Sequence, residues 1–400
     1  LQSRSHGSGA EAIAAARVGA VQPVLGRIAS VRDVLPGIDR TVWHAGPPYA
    51  RAELIPRPVL NSMCVACVFE SWADDVTDAE RLLLAGDVRT AAAQDHDLLV
   101  PLAGVLTPSM AVLDISDAHA HGTVGPGRSM FVALHEGPIH ATRLGRLDPE
   151  LPSHLRWLHT TLRDALEPLC DPPLRLLPLI EAALRQGDEC HARTVAGSAL
   201  LQDCWRARGG RDTAVDSFLA QSPAFALSFW MGAAALGASA AVGLPGVGFV
   251  THAGGNGREF GIKLSGSSSE WVRCPAPPPA GPIDPACSTA TPVGALGDSA
   301  IVDFAGLGAQ ALRHAPRLRE SLAAHLPANI LLRPGLVLSG IDTDSAWRPR
   351  ATDARRCVEA GTGPAVLIGM IDAAGQLGRI GAGVVDVPTE LFARALNLPD

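Results

Sequence analysis

Lysine is nearly missing from this chain. Lys263 is the single one, and the rest of the 33 basic residues are arginines. The formal charge is −7 and the isoelectric point is about 6.0. That balance excludes the basic footprint needed to hold nucleic acid or an anionic membrane surface. Aromatic residues make up 4% of the sequence, with one tyrosine, Tyr49, against 41 glycines. Elements must therefore pack closely through small side chains. Cysteine spacing is irregular. Cys64 and Cys67 form one C-x-x-C within the apolar run MCVACVF, with no second pair at zinc-ribbon spacing. Buried thiols on a core helix are the expected reading, and a reducing cytoplasm is the expected compartment. Several fingerprints are also absent. GGNGREFG lacks the G-x-G-x-x-G spacing of a dinucleotide site, no phosphate loop ends in Lys-Ser/Thr, and no G-x-S-x-G elbow occurs. No cofactor and no resident metal are expected.

Charge is missing locally as well. From Ser217 to Gly257 there is no Asp, Glu, Lys or Arg. The length could cross a bilayer, but the segment is rich in Ala and Gly, is broken by Pro245 and has no basic edge. It reads as a buried helix over about 223–241, then a turn and a buried strand.

The composition, 47% hydrophobic and 18% charged, is that of a globular protein. Four hundred residues exceed what one core usually supports. The expected class is α+β, with mixed α/β lobes and a helical middle domain. Residues 1–10 read as a remnant or disordered lead. An N-terminal α/β domain is expected over 11–147, the helical domain over 148–220 and a C-terminal α/β domain over 221–400. The middle boundary follows from leucines at helical spacing, from Leu155, Leu158 and Leu162 on to Leu179 and Leu184. A helix is expected over 61–74, with Glu70 either paired in the core or facing a cleft. The run LLVPLAGVLTPSMAVLDIS reads as two strands around a tight loop. A Gly/Pro loop covers 122–129, and strands are expected over 331–341 and 365–371.

Four polar, glycine-containing motifs lie beside hydrophobic elements: HAGPP (44–48), GDECHAR (187–193), GGNGREFG (254–261) and GDSA (297–300). Glycine lets a backbone approach a ligand and turn its N–H groups toward an anion. The competing interpretation is structural: tight turns for the glycines and helix caps for the acids. On the chemical reading, Arg193, Arg258 and Lys263 grip a small anion, Asn256 polarises a carbonyl, and His44, Glu189 or His191 moves protons. Glu259 joins the catalytic candidates. Gly46, Gly257, Ser265, Asp298, Ser299 and Asp342 complete the substrate-binding set. Asp188, Glu189 and His191 are a weaker metal-binding alternative.

Taken in order, these motifs resemble a bacterial family that includes the large subunit of oxamate carbamoyltransferase. Further matching pieces are FESWADD (69–75), PLAGVLTPSM (101–110), HEGP (135–138), LRWL (155–158), NGREFGIKLSG (256–266), GDSAIVDFAGLG (297–308), SGID (339–342) and GRIGAGVV (378–385). The resemblance covers about Val24 to Leu396. It implies work on small amide or ureido acids, with carbamoyl exchanged between oxalurate and phosphate in the characterised case. It also implies partner subunits; a homo-oligomer is expected too. In the family pattern, asparagines often stand where this chain has His135, Ala192 and Ser228, so the substrate is expected to differ. Two alternatives from other classes stay open: a non-catalytic metabolite-binding subunit and a metal-dependent amide hydrolase.

Overall fold

The computed structural model describes residues 3–120, 128–266, 270–340 and 347–397. Asp342 and most of the 122–129 loop lie outside them. The fold is α+β. A five-stranded sheet runs Leu98–Leu99, Ser129–Ala133, Ala111–Asp117, Pro23–Ser30, Leu174–Arg175; only its first pair is parallel. A four-stranded antiparallel sheet runs Val272–Pro275, Glu259–Leu264, Val250–Asn256, Leu296–Gly297. Thr41–His44 sits between Arg89–Ala92 and Val105–Leu106 in a third sheet, and Ala365–Ile371 pairs with Arg379–Asp386 in a fourth.

The uncharged segment explains how the two larger sheets are joined. Its helix, Ala226–Ser239, is buried on every side, apart from Leu227. Such a helix must have protein all around it. It packs on the five-stranded sheet and also on the strand Val250–Asn256 and the helix Ala300–Phe304. Gly232 permits this contact, because a Cβ there would lie 2.5 Å from Ile115 Cγ1. Among the described residues, no helix is long and apolar enough to cross a membrane. One apolar core extends from Val21 to Ala395. The middle of the chain contributes its leucine face, with Leu155, Leu158, Leu162, Leu166 and Leu169 all buried.

Several elements differ from the sequence expectation. The first helix is Ser3–Ala20, so it begins inside the segment set aside as a lead. The helix expected over 61–74 is Arg57–Phe69, because Pro58 suits a helical first turn. Glu70 caps its end as a paired acid, accepting from Ser109 N (2.7 Å) and Ser109 Oγ (2.8 Å). The apolar run around residue 105 forms three short strands instead of two, since Pro101, Gly104 and Pro108 break it repeatedly. The stretch expected as strand over 331–341 contains a helical turn, Arg333–Val337. Arg333 is buried there and bonds both carboxylate oxygens of Asp386 (2.5 and 2.9 Å), a contact between segments that local patterning does not show. Cys64 and Cys67 are buried in their helix, and burial pushes both thiols up to about 12.

Candidate active site

The motif GDSAIVDFAG links two polar regions. At its start Asp298, fully buried, accepts hydrogen bonds from Gly46 N (2.9 Å) and Gln94 Nε2 (2.5 Å) on one oxygen and from Val100 N (3.0 Å) on the other. Burial pushes this carboxyl up to about 7, opposed by those donors. Gln94 in turn bonds Ala253 O and Ala253 N. Asp298 thereby ties the HAGPP loop, the third sheet and the strand Val250–Asn256 together. Gly46 is at φ +69, and a Cβ on it would lie 2.5 Å from Gly255 C. No larger residue fits that approach.

The Asn256 hairpin belongs to this region. Asn256 Oδ1 accepts from Arg258 N (3.0 Å) and Glu259 N (2.7 Å), closing the turn. Its Nδ2 donates to Pro47 O (2.8 Å), and Tyr49 OH donates to the Asn256 carbonyl (2.5 Å). Gly257 takes the turn position at φ +84, Arg258 is exposed, and Glu259 lies 3.4 Å from Arg273. His44 is buried with its ring 4.4 Å from Tyr49, and burial pushes its pKa down to about 4. Lys263 pairs with Asp95 at 2.6 Å, and Ser265 Oγ donates to Val247 O. Apart from Arg258, and from His44 Nε2, which is buried without a hydrogen-bond partner, these polar groups are occupied by protein, with little left for a ligand.

At the other end of GDSAIVDFAG, Asp303 is fully buried on the helix Ala300–Phe304. One oxygen accepts from Ala309 N (2.7 Å) and Leu367 N (3.2 Å); the other receives His191 Nδ1 at 2.6 Å. Burial alone would lower the His191 pKa, but the Asp303 charge and hydrogen bond, with Glu189, raise it above the ordinary value. Glu189 itself organises the GDECHAR turn, accepting from the backbone N–H groups of His191, Ala192 and Arg193. Burial pushes that carboxyl up to about 7. Asp188 accepts from Gly197 N (2.9 Å) in the first turn of the next helix and lies 3.5 Å from the half-exposed Arg193. Asp188, Glu189 and His191 thus have separate partners. Among the described residues, no three His, Cys, Asp or Glu side chains are grouped to hold a metal.

His191 opens onto a cavity of about 90 Å³. Its walls include Pro101, Leu102, His135, Arg143, Ala192, Ala224, Leu227, Ser228, Ser299, Leu367, Ile368 and Arg379. Four of the matching motifs reach it: PLAGV, HEGP, GDECHAR and GDSA, joined by the strand GRIGAGVV. His191, Ala192 and Ser299 come together here; His44, Asn256, Glu259 and Lys263 do not line it.

Two arginines that the sequence reading passed over dominate this cavity. The Glu136 carboxylate positions the first, accepting from Thr142 N (3.0 Å), Thr142 Oγ1 (2.6 Å) and Arg143 N (3.2 Å). Arg143 has no ion-pair partner among the described residues, and its buried Nε has no hydrogen bond. Burial pulls its pKa down, Glu136 opposes this, and Arg379 pulls it down further. Arg379 donates to Gly381 O (3.1 Å); its side chain is partly open to solvent, and the protein packed around it lowers its pKa. Two guanidiniums that repel one another across a small cavity call for an anion. His135 adds a third donor. Its Nδ1 accepts from Gly137 N (3.1 Å), so the neutral ring carries its proton on Nε2, and burial keeps it neutral. That N–H lies 3.4 Å from Arg143 Nη2, which donates to Gly137 O, so two donors meet here and the His135 N–H is left without an acceptor.

Asp303 stood within a matched motif, as the one acid in the run AIVDFAG, and that isolation was its signal. Arg143 and Arg379 carried none, being two among many arginines.

The family model of oxamate carbamoyltransferase subunit AllG matches residues 88–299. The chain belongs to that family. It is 28% identical to the oxamate carbamoyltransferase subunit AllG of Escherichia coli K12, over 94% of this chain and 92% of the relative. The uncharacterized protein YahG of the same organism is also 28% identical, over 94% and 82%. A crystal structure of a conserved protein of unknown function from Enterococcus faecalis V583 superposes with a TM-score of 0.88 at 28% identity, covering 98% of this chain and 96% of that one. The matched span of the AllG family carries His135, Arg143, His191 and Ser299, while Asp303 and Arg379 lie beyond it.

Proposed function

We propose that this chain carries the acid-binding site of a carbamoyl- or acyl-transferring enzyme that acts on a small amide or ureido carboxylate. The observation that carries the reading is the cavity where His191, oriented by Asp303, faces Arg143 and Arg379. The arginines and the His135 Nε2–H receive the substrate carboxylate and the carbonyl beside it. Asp303 holds Nδ1–H, which leaves His191 Nε2 to exchange a proton with the reacting amide, as in other His–Asp pairs. For transfer to phosphate, the C–N bond between the carbamoyl carbon and the amide nitrogen breaks. A bond from that carbon to a phosphate oxygen forms. The proton lost by hydrogen phosphate ends on the leaving nitrogen, carried by His191. The name of the AllG relative, an oxamate carbamoyltransferase subunit, supports a role within a multisubunit enzyme. Cytoplasmic placement, phosphate as the acceptor and a homo-oligomeric assembly are part of the same proposal.

His135, Ala192 and Ser228, the three places where family asparagines are expected, all line this one cavity. A changed set of donors and acceptors there supports a changed substrate. The same fact favours a second reading, a subunit that binds a metabolite without turning it over. Oxalurate, oxamate and related amides should be assayed with this chain, alone and with its partner subunits, beside His191→Asn and Arg143→Gln. Turnover lost in both folded variants supports the enzyme. Ligand binding without turnover in either form decides for the sensing subunit. Turnover unchanged in both variants refutes the site.

A further inference from the structure

A second cavity, of about 170 Å³, lies between Gln94–Leu99, the end of the helix Ala226–Ser239 and the strands that carry His252 and Lys263, and shares no lining residue with the His191 cavity. We propose that it binds a small zwitterion, a carboxylate and an ammonium group joined by one or two carbons. It goes beyond the assignment of the His191 cavity and does not depend on it.

The charges in this cavity are only partly used by the protein. Lys263 is buried, with its ammonium 2.6 Å from Asp95 Oδ1 and 5.3 Å from the centre of the Trp271 ring. Trp271 Nε1 donates to the same Asp95 oxygen at 2.8 Å. Oδ1 is therefore occupied, while Oδ2 accepts no hydrogen bond among the described residues. The Asp97 carboxylate has neither hydrogen bond nor ion pair among them, although its backbone is held in the left-handed region at φ 57. Arg128 spends one Nη on Ser239 O and, among the described residues, has no carboxylate within ion-pair distance, although its charge acts on Asp97 across the cavity. His252 adds no charge, because burial and then Lys263 push its pKa down to about 4.

Two cations and two carboxylates line the cavity, so its charges cancel. A net anion or a net cation gains little from such a site. A molecule bearing both charges can satisfy each wall, with its carboxylate on Arg128 and its ammonium on Asp97 and Asp95 Oδ2. At roughly 30 Å³ per water, the volume displaces about five or six waters, the scale of a small amino acid.

Calorimetric titration of the full chain with glycine and β-alanine tests this, with acetate and methylammonium as single-charge probes. Asp97 and Arg128 are exposed enough for Asp97→Asn and Arg128→Gln to leave the fold intact. The expected result is saturable one-to-one binding of a zwitterion at least tenfold tighter than either single-charge probe. Each substitution should weaken it about tenfold, the scale of one charge-assisted hydrogen bond, and Arg143→Gln should leave it unchanged. Acetate binding as tightly as the zwitterions overturns the proposal, as does the absence of saturable binding by the folded chain. Binding that survives Asp97→Asn and Arg128→Gln but disappears in Arg143→Gln overturns it too, by moving the ligand to the His191 cavity.

Discussion

The Asn256 hairpin and the His191 cavity are both polar, both glycine-bordered and both carried by motifs of the same family, yet their hydrogen bonds differ in kind. Around Asn256 and Asp298 nearly every donor has an acceptor within the protein, so the polar groups join a loop to two sheets. Around His191, donors outnumber acceptors: Arg143 Nε is buried without a partner, and the His135 N–H and the Arg379 guanidinium line the cavity with no carboxylate beside them among the described residues. A polar motif with its bonds satisfied is scaffold, and one with bonds left over is a site. The richness of a motif in chemically capable residues does not separate these cases.

The contrast can be tested from its strongest consequence downward. His191→Asn should lower turnover by about 10²–10⁴-fold, the usual range for a positioned acid–base group, while substrate still binds; a rate within a few-fold of the parent would move catalysis elsewhere. Arg143→Gln should weaken substrate binding by about 10–100-fold, the scale of a lost charged hydrogen bond. Without substrate, its melting temperature should equal or exceed the parent's, because a poorly neutralised buried charge has been removed. A clear loss of stability instead would make Arg143 a structural residue. Asn256→Ala should reverse the pattern, with stability down by about 1–3 kcal/mol and turnover per folded molecule nearly unchanged. A large fall in turnover with an unaltered melting curve would restore Asn256 as the catalytic group.

The pH dependence is a smaller effect. The folded-state pKa of His191 is raised, so its pairing with Asp303 stabilises the fold fully below the unfolded value of about 6.5. That contribution is lost as the pH rises through the higher folded value. The stability gap between the parent and Asp303→Asn should therefore be largest near pH 6 and shrink toward pH 9 in thermal melts. A constant gap would mean that the pair is not a charged one. Smallest of all, Arg258→Ala should change neither stability nor turnover measurably, since its side chain is exposed.

Much of the fold was legible in the chain. The uncharged stretch after Ser217 read as a buried helix and strand, the leucine spacing marked the helical face, and Ala365–Ile371 is a strand with the bounds its pattern suggested. The candidate site was only partly legible. His191 and Ser299 stood in visible motifs, but Arg143 and Arg379 are ordinary by composition and far apart in sequence. The strand expected near Leu331 fails for the same reason, because the Arg333–Asp386 contact spans 53 residues.

By itself, then, the sequence determined the burial pattern, the glycine-dependent turns and the family, because these depend on local periodicity, backbone freedom and motif order. Only the tertiary structure decided which polar groups are spent on each other and which remain for a ligand. Hydrogen-bond satisfaction is a property of pairs, and in Asn256–Pro47, His191–Asp303 and Gly46–Asp298 the partners meet only once the chain has folded.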